Sequence, residues 1–112
     1  MKKYKESIHS ISKWSEETFP YLTAYMQEKK LKEELEEVAR AENTDRWIGE
    51  MADVYIVSAI LWDRFYNPLG RLGLDWVEMH PEYEKIREAV DAKMVINRAR
   101  KWHINKNGVY HH

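Results

Sequence analysis

The chain has 112 residues, 44% of them hydrophobic, with 18 basic residues against 19 acidic ones and no cysteine. That is enough for one domain over residues 1–112 and too little for two. It excludes disulfides, cysteine-ligated zinc and a thiol nucleophile, and gives no basic footprint for a nucleic-acid polymer.

Four glycines and three prolines leave little punctuation, and helix formers dominate, so an all-α fold is expected. The opening Met1-Lys2-Lys3-Tyr4-Lys5-Glu6 is basic but lacks the apolar stretch of a signal peptide. No apolar run nears the ~18 residues of a membrane span. A cytoplasmic chain without a membrane partner is expected. The first helix is predicted over residues 4–17, with Ile8, Ile11 and Trp14 on one stripe. Phe19-Pro20 breaks it, and Pro20 suits the first turn of a second helix running to Glu42. Asn43-Thr44-Asp45 offers caps for a third helix, residues 45–66. Trp47, Ile48, Met51, Val54, Tyr55, Ile60 and Phe65 cover most of its circumference, which places it at the centre of a bundle. Asn67-Pro68-Leu69-Gly70 and Gly73 read as a loop, and a fourth helix is predicted over 81–101. Asn105-Lys106-Asn107-Gly108 is turn chemistry.

Chemistry enters with two acidic pairs, Glu34-x-x-Glu37 and Glu50-x-x-Asp53. Residues three apart share a helix face, so two antiparallel helices can gather four carboxylates. Such a cluster repels itself unless a hard cation sits in it. Mg²⁺ takes oxygen ligands, usually one or two carboxylates plus substrate phosphates, so the pattern suggests phosphate chemistry. The helical wheel leaves Glu34 and Glu37 open. Apolar stripes run on two sides of the second helix, and a solvated face of Glu–Lys pairs accounts for the same residues. Glu50 and Asp53 lie on the most apolar helix, where a carboxylate needs a partner: a metal, or Arg46 or Arg64 on the same side.

The fourth helix adds a stripe of Ile86, Val90, Lys93, Asn97 and Arg100. It starts apolar and turns cationic. A Lys ammonium and an Arg fork both suit phosphate, unless this helix end simply leaves the core.

Together these residues resemble the MazG-like, all-α nucleoside triphosphate pyrophosphohydrolase superfamily, whose pattern is Glu-x-x-Glu, a spacer, then Glu-x-x-Asp. Here twelve residues separate the two motifs. The contexts Leu31-Lys32-Glu33-Glu34-Leu35-Glu36-Glu37-Val38 and Glu50-Met51-Ala52-Asp53-Val54-Tyr55 are similar to that family's, and Lys93 to Trp102 resembles the Lys…Asn-Arg…Arg segment of its deoxynucleotide-handling members. The similarity runs from about Trp14 to Trp102.

The resemblance implies a four- to five-helix MazG-like bundle and Mg²⁺, or Mn²⁺ in its place, held by Glu34, Glu37, Glu50 and Asp53. It implies hydrolysis of a (d)NTP to the monophosphate and pyrophosphate, with Glu37 orienting the water. Lys93 and Arg100 would hold phosphates, and Asn97 phosphate or sugar. Trp14 would stack on the base, or else is a core tryptophan. Tyr110 would close over the nucleotide, or else belongs to a frayed terminus. Compact relatives build their sites in dimers or dimers of dimers, so a homodimer or homotetramer is implied. The short chain and its tail look like phage-type or deoxypurine-directed members (dATP or dGTP). A dUTP or dCTP pyrophosphatase is the alternative enzyme, and a non-catalytic helical interaction module the alternative of another class.

Overall fold

A computed structural model describes residues 3–104 and 110–111. Five helices follow in order: α1 (Ile8–Thr18), α2 (Ala24–Arg40), α3 (Thr44–Phe65), α4 (Pro68–Glu78) and α5 (Tyr83–Ala99). A short antiparallel ladder pairs β1 (His103–Ile104) with β2 (Tyr110–His111). The fold is all-α apart from that ladder. No helix among the described residues is long and apolar enough to cross a membrane.

α1 starts four residues later than the sequence suggests. The backbone N–H groups of Lys5 and Glu6 donate to the Asp91 carboxylate on α5, at 2.8 and 3.0 Å, which holds this segment outside the helix. Ser7 then caps α1 in a reciprocal box with Ser10. Pro20 is not in the first turn of α2. It sits in a turn closed by Leu22 N–H on Phe19 O, 3.1 Å, a position its fixed φ favours, and Thr23 caps α2 instead. Asn43 caps α3.

The predicted loop at residues 67–73 is the start of a helix. Tyr66 takes a left-handed conformation, φ 52°, and ends α3. Asn67 accepts from Leu69 N–H at 2.9 Å, with Pro68 in the first turn. Asn-Pro is thus a cap followed by a first-turn proline. Gly70 and Gly73 lie one turn apart and face α3. A Cβ on Gly70 would collide with the backbone nitrogen of Trp62 and the carbonyl of Ser58, and one on Gly73 with the Ser58 hydroxyl. The glycines are there for close packing.

α3 is the axis of the bundle and contacts every other helix. From Met51 to Leu61 every residue but Asp53 is buried. Ile11 and Trp14 of α1, Leu31 of α2, Leu74 and Val77 of α4, and Ile86, Val90 and Met94 of α5 complete the core. The radius of gyration, 13.1 Å, is that of a compact body of about 100 residues.

The glycine contacts yield a paired test. Gly70→Ala should destabilise by about 1–3 kcal/mol, because the colliding atoms are backbone and cannot swing away. At Gly49 a new Cβ would meet only the Lys93 side chain, 3.7 Å away, so Gly49→Ala should be neutral or stabilise by up to about 1 kcal/mol. Urea unfolding curves measure both. Equal effects would mean that α4 does not press on α3 as described.

Candidate metal centre and adjoining cavity

α2 and α3 are joined by only three residues, which makes them antiparallel neighbours and carries the two acidic motifs past each other. One carboxylate oxygen each from Glu34, Glu50 and Asp53 lies within 4.8 Å of the others. Glu34 is the innermost, 8% exposed. Burial first, and the Asp53 charge next, push its pKa up to about 7, against the pull of Lys30. The Lys30 ammonium stands 3.3 Å from it. Glu50 is shifted upward too, by burial and then by Asp53. Asp53 receives a hydrogen bond from Lys93 on α5, at 3.0 Å.

The sequence offered Arg46 or Arg64 as the partner of these acids. Arg64 instead donates to the carbonyls of Ser15 and Phe19, at 2.9 and 3.0 Å. The partner of Asp53 is Lys93, and Arg46 acts on Glu50 only through its charge. Glu37 is not one of the clustered three. It pairs with Arg40 at 3.0 Å and is half exposed, although its charge helps to raise Glu50. Glu33 and Glu36 are exposed on the outer face of α2. The register left open by the wheel is thereby fixed for Glu34, which turns inward.

Beside the three acids opens a cavity of about 260 Å³, near the lower end for small-molecule sites. Glu34 and Asp53 stand on its lining, with Val57 and Ile60 of α3 below them. Its lining is also aromatic. Trp14, Phe19 and Trp102 meet edge to face, with centroids 5.2 to 6.1 Å apart. Trp14 is both a core residue, 7% exposed, and part of this wall.

The cationic stripe of α5 differs from its expected register. The buried line runs Ile86, Val90, Met94, so Lys93 and Asn97 stand on its edge. Arg100 lies past the last turn as the helix C-cap and is exposed. Asn97 and Arg100 nevertheless line the cavity. The guanidinium of Arg100 lies 6.0 Å from the Trp102 ring centre, and Trp102 Nε1 donates to the Asn97 carbonyl at 3.0 Å. The side chain of Tyr110 and residues 105–108, where a turn is predicted, lie outside the described residues.

Sequence reasoning missed Gln27, Lys30, Phe19 and Trp102, all of which line the cavity. Gln27, Lys30 and Glu34 were detectable in principle, as a polar line at i, i+3, i+7. Three carboxylate oxygens form a hard, oxygen-only donor set, suited to Mg²⁺, Mn²⁺ or Ca²⁺ more than to zinc or copper. A buried Glu34 with one partial counter-charge fits such an ion. No protein-family model, no curated protein and no solved structure matches the chain.

The Glu34 shift predicts a pH profile for the metal-free protein. Its folded pKa is raised, so between about pH 4.5 and 7 the folded chain holds a proton that the unfolded chain has lost. Stability must then fall as pH rises through that window and stay reduced above it. Glu34→Gln should raise the melting temperature in EDTA at pH 8, a gain of about 1–3 kcal/mol after solvent screening, with the gap closing toward pH 4.5. Mn²⁺ at pH 8 should stabilise the wild type and not the variant. A pH-independent difference, or equal stabilisation of both by Mn²⁺, would contradict this assignment.

Proposed function

We propose that this protein hydrolyses a (deoxy)nucleoside triphosphate to the monophosphate and pyrophosphate, with Mg²⁺ bound or Mn²⁺ in its place. The observation that carries the reading is the junction of the Glu34–Glu50–Asp53 cluster with an aromatic-walled cavity bearing Asn97 and Arg100. The resemblance of motif order and context to the MazG-like superfamily supports it, and brings a MazG-like bundle, a cytoplasmic setting and association into dimers or tetramers as parts of the same reading.

Glu34, Glu50 and Asp53 would hold the cation. The ion would supply charge neutralisation of the triphosphate and acidify a water. The protein's own groups have distinct tasks. Lys93, now on Asp53, would turn to a phosphate oxygen once the carboxylate is otherwise engaged. Arg100, exposed at the end of α5, would close on phosphate with its planar fork. Trp14 and Trp102 would border the base, and Asn97 would bond sugar or phosphate. Glu37, beside Glu50 and held only by a surface pair to Arg40, would orient the attacking water. The donor set does not choose between purine and pyrimidine, so a dATP- or dGTP-directed enzyme and a dUTP or dCTP pyrophosphatase share this site.

A second reading has its own observation. Lys30–Glu34 and Lys93–Asp53 are ion pairs already, and a structural charge network on a helical interaction module would look the same. A pyrophosphate-release screen over the eight common NTPs and dNTPs separates the two. With Mg²⁺, at least one should be turned over, and EDTA should abolish the reaction. Asp53→Asn should lower kcat by on the order of 10² or more, whereas Glu33→Gln and Glu36→Gln should act like wild type. No turnover of any nucleotide, or full turnover in EDTA, would reject the enzyme reading.

Arg100 separates phosphate binding from metal binding. Arg100→Ala should lower kcat/KM by roughly 10- to 150-fold, as for a lost charge-assisted bond, while Mn²⁺ affinity without nucleotide stays near wild type. Lysine at position 100 should recover part of the loss. Unchanged kinetics in Arg100→Ala would leave this residue a solvated helix end.

A further inference from the structure

Gln27 is the most buried polar side chain on the cavity lining, 5% exposed. It stands on α2 two turns before Glu34 and on the same face. The two are about 10 Å apart along the axis, close to the span from phosphate to base edge in a nucleotide. Its amide makes one side-chain bond: Nε2 donates to the carbonyl of Val57 on α3, at a long 3.4 Å. Among the described residues nothing donates to its Oε1. That oxygen is not sealed among protein atoms, and the residue lines the cavity, so the free acceptor opens into it. A buried amide oxygen without a donor costs free energy until something supplies one.

The bond to Val57 also fixes which end of the amide faces the cavity. Turned over, the amide would set its oxygen against the Val57 carbonyl, two acceptors with no proton between them. An amide that cannot turn is no longer indifferent to what it meets, and Oε1 requires an N–H. Leu22, Met26 and Ile56 add to the aromatic lining. A ligand that set a carbonyl against Oε1 there would lose water and gain no bond. Sites that are largely apolar, with a few placed polar groups, take their specificity from those groups. We infer that Gln27 is a specificity-determining residue: it accepts a hydrogen bond from an N–H on the edge of the base and favours an amino base over its deaminated keto counterpart, adenine over hypoxanthine or cytosine over uracil. This rests on the reading of the cavity as a nucleotide site and narrows it.

Nucleosides test it without metal, phosphate or turnover. NMR titrations in EDTA, followed at the Trp14 and Trp102 indole resonances, compare deoxyadenosine with deoxyinosine and deoxycytidine with deoxyuridine. In at least one pair the amino member should bind roughly 5- to 150-fold tighter, the range for a polar group left unpaired, and should shift the Gln27 side-chain amide resonance. Gln27→Met, unbranched and apolar, should bring that ratio close to one by weakening the amino member, and Gln27→Leu should do the same. Circular dichroism checks the fold of each. Equal affinities within both pairs, tighter binding of the keto members, or no binding of any nucleoside overturns the inference, as does a ratio that survives both substitutions. A wild-type ratio accompanied by the Gln27 amide shift supports it even where neither variant folds. Failure of the hydrolysis reading shows elsewhere: no nucleotide is turned over in the pyrophosphate-release screen, while the nucleoside ratios persist and still support the role of Gln27.

Discussion

The structure depends on the burial of α3. A helix apolar on nearly every side must be covered on every side, and α1, α2, α4 and α5 are arranged to do so. Asp53 is the one interruption between Met51 and Leu61. Covering α3 therefore brings other elements up to a partly buried carboxylate. α5 answers with Lys93 at 3.0 Å, and α2 with Glu34, which adds to the charge instead of cancelling it. The apolar core supplies the free energy that holds these like charges together, since each buried side chain of this size contributes about 1.5–3 kcal/mol. The acidic cluster is thus a cost imposed by the packing of the bundle.

Much of this was legible in the sequence. The periodicity of α3 showed a central helix, and Asn43 and the two acidic motifs placed α2 and α3 as an antiparallel pair. α4 was hidden because Pro and two glycines within six residues resemble a loop. Only the nearness of the Trp62 backbone and Ser58 explains why glycine is needed there, and that is a tertiary fact. The α5 stripe slipped because i+3 and i+4 steps from Val90 lead to Lys93 and Met94 alike, and packing chose methionine. The aromatic wall was invisible for another reason. Trp14 and Trp102 meet from opposite ends of the chain, and no local pattern records that.

The fold also gives α3 two differently packed sides. Its first half carries Glu50 and Asp53 between α2 and α5. Its second half presents Ser58, Leu61 and Trp62 to the glycine face of α4, where there is no room for ligand or solvent. Packing that close is rigid, and it fixes one side of α3 while another side, with Asp53, Ile56, Val57 and Ile60, borders the cavity.

What neutralises the cluster can be argued by elimination. The α3 dipole is not sufficient, because its effect fades within the first turn, and Glu50 and Asp53 lie beyond that turn from Thr44. The C-terminal end of α2, which follows Glu34 by six residues, carries the wrong sign. Two ammonium groups in contact remain, Lys30 and Lys93, against three carboxylates, with Arg46 acting on Glu50 through its charge alone. The contact pairs leave one carboxylate over, and near neutral pH a proton on Glu34 supplies the balance. Above that pH the described residues offer no third cation in contact with the cluster. A divalent ion would then do more than cancel the residue of charge. It would compete with Lys30 and Lys93 for their carboxylates, loosening Lys93 from Asp53 and leaving Lys30 with its surface partner Glu33.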